Sequence, residues 1–186
     1  MTSRNRKLSV LVSIAVVIIG AFFLTAAMAA PRGSRGAPSI RAYFSPGDEL
    51  EDRIVREINE ARRRIRIQMY IFTSKPIADA LASAKGRGVD VTLVLDKSQE
   101  TMSYGRWPVL RRSGVKVLFD RDHDVANNKI ILIDNTTVIT GSYNLTKAAS
   151  ESNAENIVVI KNDEEVIDRF HKNFEAHVEH SGKPAK

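Results

Sequence analysis

Residues 127–144 read NNKIILIDNTTVITGSYN. Lys129 and Asp134 bracket four consecutive apolar residues, which places the lysine at the entrance of a buried strand and the aspartate at its exit. Asp134-Asn135 fits a tight turn. An apolar return strand over 138–140 then brings Gly141-Ser142-Tyr143-Asn144 back beside Lys129. A lysine, a hydroxyl and an amide converging at one end of a sheet can hold the oxygens of a phosphate. Gly141 in that position lets the backbone approach closely. The same pattern is equally satisfied by a β-hairpin with ordinary solvated polar ends.

Outward from this hairpin, periods of two and of 3.6 residues alternate along the chain. Residues 40–44 form a short apolar run stopped by Pro46-Gly47, a first strand. Leu50, Ile54, Val55, Ile58 and Ala61 recur at helical spacing. Alternation from Arg64 predicts a second strand running to about Phe72. Ser74 before Pro76 marks a helix start, with Ile77, Leu81 and Ala84 on its buried side and Gly86 and Gly88 at its close. Further strands are predicted over 89–95, 115–119 and 157–160. A short helix over 103–113 is predicted to be interrupted near Pro108, and a last helix starts at Asp163 with Val166, Ile167, Phe170, Phe174 and Val178 on its apolar side. Strands alternating with helices, then a strand cluster and a closing helix, predict an α/β fold with a mixed β-sheet sandwiched by helices.

Composition narrows the function. With 186 residues and 43% hydrophobic side chains, the chain can build one substantial core. It contains no cysteine, which excludes disulfide scaffolds, zinc ribbons, thiol proteases and iron–sulfur centres. The formal charge is +6, but residues 1–29 carry Arg4, Arg6 and Lys7 and no acid, so the remainder holds a net +3. Those three bases precede an apolar run over 8–24 and the small-residue series Thr25-Ala26-Ala27-Met28-Ala29. That order is a cleavable export signal over 1–29, with an uncleaved signal anchor as the alternative. A Gly/Ser/Pro-rich linker over 30–39 follows, and the folded domain is expected over 40–181, exported to the periplasm or secreted.

The stretch from Asn127 to Asn144 resembles the motif of the phospholipase D superfamily: histidine-x-lysine, four residues, aspartate, then glycine-serine-x-asparagine. Residues 67–72 and 142–160 are also similar to the small exported bacterial endonucleases of that superfamily, which carry one motif copy per chain. The resemblance implies a phosphodiesterase that needs no cofactor and no metal. Its expected substrate is nucleic acid, DNA and also RNA, cleaved without sequence preference. Lys129, Ser142 and Asn144 would bind the phosphate. Glu155 corresponds to the acid that orients the motif histidine, and Asp134 in the catalytic motif is expected to serve structure more than chemistry. A single motif copy implies a homodimer with the active site at the two-fold interface.

One position departs from the pattern. The motif histidine, whose ring nitrogen attacks phosphorus to form a phosphohistidine, is replaced by Asn127. An amide has no lone pair basic enough to attack and no proton to donate near neutral pH. Every other motif position keeps the active pattern, so the chain reads as an enzyme scaffold silenced at one residue. A lipid-headgroup phospholipase shares this phosphate chemistry, and a noncatalytic nucleic-acid-binding protein is the reading from another class. Arg62, Arg63, Arg64, Arg106, Arg111 and Arg112 are candidates for a basic groove. Trp107 and Tyr104 are candidates for stacking on bases or for packing in the core or an interface. His123 could replace the nucleophile only by folding back into the pocket, and His171, His177 and His180 are expected on a solvated helical face. No compact acidic or histidine cluster is expected.

Overall fold

The computed structural model describes residues 36–182. The export segment expected over 1–29 and the start of the linker lie outside the described residues. Seven strands form one sheet: β1 (Ser39–Ser45), β2 (Arg64–Met69), β3 (Asp90–Asp96), β4 (Lys116–Asp120), β5 (Lys129–Ile133), β6 (Thr137–Gly141) and β7 (Glu155–Lys161). Their spatial order is β1-β7-β6-β5-β2-β3-β4. The β2–β3 and β3–β4 pairs are parallel, and the remaining neighbours are antiparallel. The helices are α1 (Leu50–Glu60), α2 (Lys75–Gly86), α3 (Trp107–Arg112), α4 (Lys147–Glu151) and α5 (Glu164–Ser181), with a 3₁₀ turn over Lys97–Glu100. This is the mixed α/β sandwich that the alternating periods predict.

Both faces of the sheet are covered because the central strands are apolar on both sides. Ile65, Ile67, Met69, Leu93, Leu95, Ile131 and Ile133 pack with Leu50, Ile54 and Ile58 of α1 and Ile77, Leu81 and Ala84 of α2. Their alternating neighbours Val94, Ile130 and Leu132 turn to the other face, where Ile167 and Phe174 of α5 cover them. A fully buried side chain of this size contributes about 1.5–3 kcal/mol, so burial is the main force that holds the helices on each face. Continuous apolar runs such as residues 130–133 follow from this two-sided cover.

Several boundaries differ from the sequence reading, each for a local reason. β2 ends at Met69 rather than near Phe72. Beyond it the Ile71 N–H is taken by Asn144 Oδ1 (3.3 Å) and the Phe72 N–H by Gln99 Oε1 (3.1 Å), and Phe72 joins Leu145 through an isolated bridge. Pro108 does not interrupt a helix; it lies in the first turn of α3, where a missing N–H costs nothing. The five-residue α4 was not predicted; Thr146 caps it by accepting the Ala149 N–H at 3.1 Å. Asp163 is the cap of α5 and accepts the Val166 N–H.

Candidate functional site

The C-terminal ends of β2 and β6 and the N-terminal ends of β5 and β7 meet at one end of the sheet, because each of these strands is antiparallel to its neighbour in the order β2-β5-β6-β7. Met69 pairs with Lys129, and Gly141 pairs with Ile157. Lys129, Ser142, Asn144 and Glu155 are thereby gathered at that end. Gly141 is required for the convergence: a Cβ there would sit 2.2 Å from the Asn156 carbonyl oxygen. Two strands can close this tightly only where one residue has no side chain.

The polar groups are already interlocked. Ser142 Oγ donates to Glu155 Oε2 at 2.6 Å and accepts the Asn156 backbone N–H at 3.1 Å. Asn153 Nδ2 donates to the other oxygen of Glu155 at 3.0 Å. Asn144 spends its carbonyl oxygen on the Ile71 N–H, which leaves its Nδ2 hydrogens as donors. Beneath them Tyr143 is buried, and its hydroxyl meets Ser150 Oγ. Burial pushes that phenol up to about 12; the Ser150 bond opposes this, and the carboxylates of Glu51, Glu155 and Asp52 add to it. Tyr143 is therefore a neutral floor for the site.

Lys129 is the cation. Its Nζ donates to the Asn127 carbonyl oxygen at 3.1 Å and to Asn127 Oδ1, and it lies 5.5 Å from the centre of the Tyr70 ring. Burial lowers its pKa below the ordinary 10.5, while the charge of Glu155 acts in the opposite direction. Asn127 itself is exposed. Ser142 and Asn153 occupy the Glu155 carboxylate, and the Asn127 amide turns to Lys129.

Asp134 lies at the far end of β5. In the left-handed region at φ 52°, it accepts the backbone N–H groups of Arg62 (3.2 Å), Arg63 (2.8 Å) and Arg64 (3.0 Å). It closes the α1–β2 turn and does not reach the cradle. The same contacts put Arg62, Arg63 and Arg64 at the end of the sheet away from Lys129, which removes them from a groove at the site. Arg106 remains near it, bonded through Nε to the Thr73 carbonyl. Arg111 stacks over Trp107, whose indole N–H donates to the Gln99 carbonyl and whose ring meets Phe119 edge-on. Trp107 therefore packs against the core, whereas Tyr104 is exposed.

Two features were not read from the sequence. Asp96, buried at the end of β3, accepts the Ala126 N–H at 2.7 Å and so fixes the loop that delivers Asn127. Burial raises its pKa, but bonds from Ser98 and Ala126 outweigh that and leave it lowered. The second is a compact cluster, which the sequence reading excluded: Asp120, His123, His177 and His180 converge at the end of β4. His123 is thus committed to Asp120 instead of folding into the cradle, and His177 and His180 are not on a solvated face. His171 is half-buried, with Nε2 at 3.2 Å from the Asp134 carbonyl. Helical spacing pairs His177 with His180, but nothing in the sequence gives their separation from residue 120.

Residues 54–178 match the family described as cardiolipin synthase, PLD-like domain. A phospholipase D of Rickettsia bellii is 36% identical over 135 residues, 73% of this chain and 67% of that protein. The crystal structure of Nuc, a phospholipase D family member from Salmonella typhimurium, superposes with a TM-score of 0.73 at 33% identity, covering 77% of this chain and 96% of that one. NucT from Helicobacter pylori shares the fold at a TM-score of 0.71 and 23% identity, over 77% of this chain and 98% of that one.

Proposed function

The chain belongs to the phospholipase D-like phosphodiesterase family, and from that premise we propose that it is a nucleic-acid phosphodiesterase of the small exported endonuclease type whose turnover is blocked at Asn127. What supports this reading is the convergence of Lys129, Ser142, Asn144 and Glu155 at one end of the sheet, with Asn127, at the position of the family's nucleophile, bonded to Lys129. With histidine at 127, a ring nitrogen would attack phosphorus while the P–O bond to the leaving group breaks. A second histidine from a two-fold partner would protonate the departing oxygen, and water would then hydrolyse the phosphohistidine. Lys129 and the Asn144 amide would hold the charge that builds on the phosphoryl oxygens. Asparagine can bind in this place but cannot attack.

The working unit is a homodimer, each chain supplying half of the site. Its substrate is DNA, with RNA a further one, and the family's chemistry asks for no metal. Residues 1–29 would export it.

A lipid substrate is the second reading, favoured by the matched family's description and by the Rickettsia relative's name. Asn127→His separates the two when assayed with a chelator on plasmid DNA and on phosphatidylcholine vesicles. Turnover of DNA should rise on the order of 10⁴-fold or more over the Asn127 chain, the usual scale for restoring a nucleophile, with the lipid untouched. Cleavage of lipid alone would reverse the substrate assignment, and no gain on either would remove the reading.

A further inference from the structure

At the end of β4, the buried carboxylate of Asp120 faces three imidazoles at once. Its Oδ2 lies 2.8 Å from His177 Nδ1, 3.0 Å from His123 Nδ1 and 3.1 Å from His180 Nε2. The three rings pack with centroids 4.9–5.2 Å apart. Asp120 Oδ1 takes the backbone N–H groups of Asp122 and His123, both at 3.2 Å, and also lies 3.1 Å from His123 Nδ1. A carboxylate offers about four lone-pair sites, so two backbone N–H groups and three ring nitrogens together are more than its hydrogen bonding needs.

We propose that Asp120, His123, His177 and His180 form a tetrahedral site for a divalent transition-metal ion, with zinc the best fit. The four ligand atoms lie within 4.8 Å of one another. A tetrahedron with bonds of 2.0–2.1 Å has edges of about 3.3–3.4 Å, so side-chain rotations that lengthen the 2.8–3.1 Å contacts to Asp120 and draw the wider pairs together would seat an ion among them. Three imidazole nitrogens and one carboxylate oxygen suit zinc and its neighbours in the first transition row and are poor ligands for calcium or magnesium, which demand oxygen. The set has the form of two i,i+3 pairs, Asp120-x-x-His123 and His177-x-x-His180. The backbone N–H groups on Oδ1 fix the carboxylate and leave Oδ2 for the ion. Four protein ligands leave no open position, so the ion is structural and not catalytic.

Its place gives it a task. Asp120 ends β4, and His177 and His180 lie in the last turns of α5. His123 starts the loop that runs to Asn127, and its carbonyl accepts Lys97 Nζ at 2.9 Å. An ion there would clamp the end of α5 to the sheet edge and anchor the loop that carries residue 127. This inference does not depend on what the cradle binds.

The test uses the full chain, produced without a polyhistidine tag. Its metal content is measured by mass spectrometry; the protein is then stripped with a chelator and titrated with zinc while its melting temperature is followed. The site predicts one zinc ion per chain and a Tm rise of roughly 5–10 °C at a hundredfold excess over Kd. Cobalt should give the visible absorption of a tetrahedral centre. His180→Gln and His177→Gln should each abolish the zinc-dependent rise. If either variant fails to fold, the titration of the unaltered chain still decides. A stripped chain whose Tm ignores zinc and whose cobalt spectrum stays that of the aqueous ion would overturn the proposal.

Discussion

The two ends of β5 carry the two charges of one motif, yet they do different work. At the far end, Asp134 has three backbone N–H partners and holds a turn closed. At the near end, the hydrogen bonds of Lys129 Nζ go to the oxygens of Asn127, an exposed neighbour two residues away. The four residues between them, Ile130 to Ile133, are all buried. A charge answered by the backbone belongs to architecture, whereas a charge answered by an exposed side-chain amide can exchange that partner for an anion. Spacing alone makes the two look equivalent.

This contrast can be broken by experiment. In the Asn127→His background, Lys129→Ala should lower kcat by roughly 10²–10³, the scale for losing one donor to a transition-state oxyanion. Asp134→Ala in the same background should leave kcat within a few-fold. Equal losses in steady-state kinetics would erase the distinction between the two ends. Next in size, Gly141→Ala should destabilise the near end by about 1–3 kcal/mol through overpacking against the Asn156 carbonyl, read by urea unfolding. Asp134→Ala should cost about 1–2 kcal/mol at the other end, as a lost cap does.

The smallest effect is a pH dependence at the far end. Burial and the charges of Arg64 and Arg66 lower the His171 pKa below its ordinary 6.5, against the Asp134 carbonyl and Glu175, which raise it. Between the folded and unfolded values, the unfolded chain binds more protons, so stability rises with pH there. The contribution is fully present above 6.5 and is lost as acid protonates the folded imidazole. Unfolding curves between neutral pH and mild acid should show this slope, reduced in His171→Gln. An unchanged slope in the variant would assign it to other groups.

The sheet was legible because its strands follow local rules. Residues 130–133 have no polar interruption, and the Lys129 and Asp134 boundaries follow at once. Ser74 and Asp163 announced helix starts through capping chemistry that needs no tertiary information. What stayed hidden depends on long-range register. Asp96 holds the loop at Ala126 across 30 residues of chain, and Asp120 gathers His177 and His180 across 57 and 60. The histidines looked solvated because α5 was read by its apolar stripe, and their neighbour on β4 has no signature in the helix. Arg62, Arg63 and Arg64 misled in the opposite way: clustering in sequence suggested a groove, but the Asp134 turn holds them at the wrong end. The resemblance supplied the cradle residues, whereas Asn127's hydrogen bond to Lys129 depends on the folded loop and has no signature in the sequence.

The central claim is that this scaffold is complete for phosphoryl transfer except at residue 127. The most direct measurement is covalent capture: a uniformly labelled oligonucleotide is mixed with the Asn127→His chain, quenched early and separated under denaturing conditions. The account predicts a labelled protein band that is stable in base and lost in acid, as a phosphohistidine is, and absent from the Asn127 chain. No covalent band in the Asn127→His protein, or the same band in both, would contradict it.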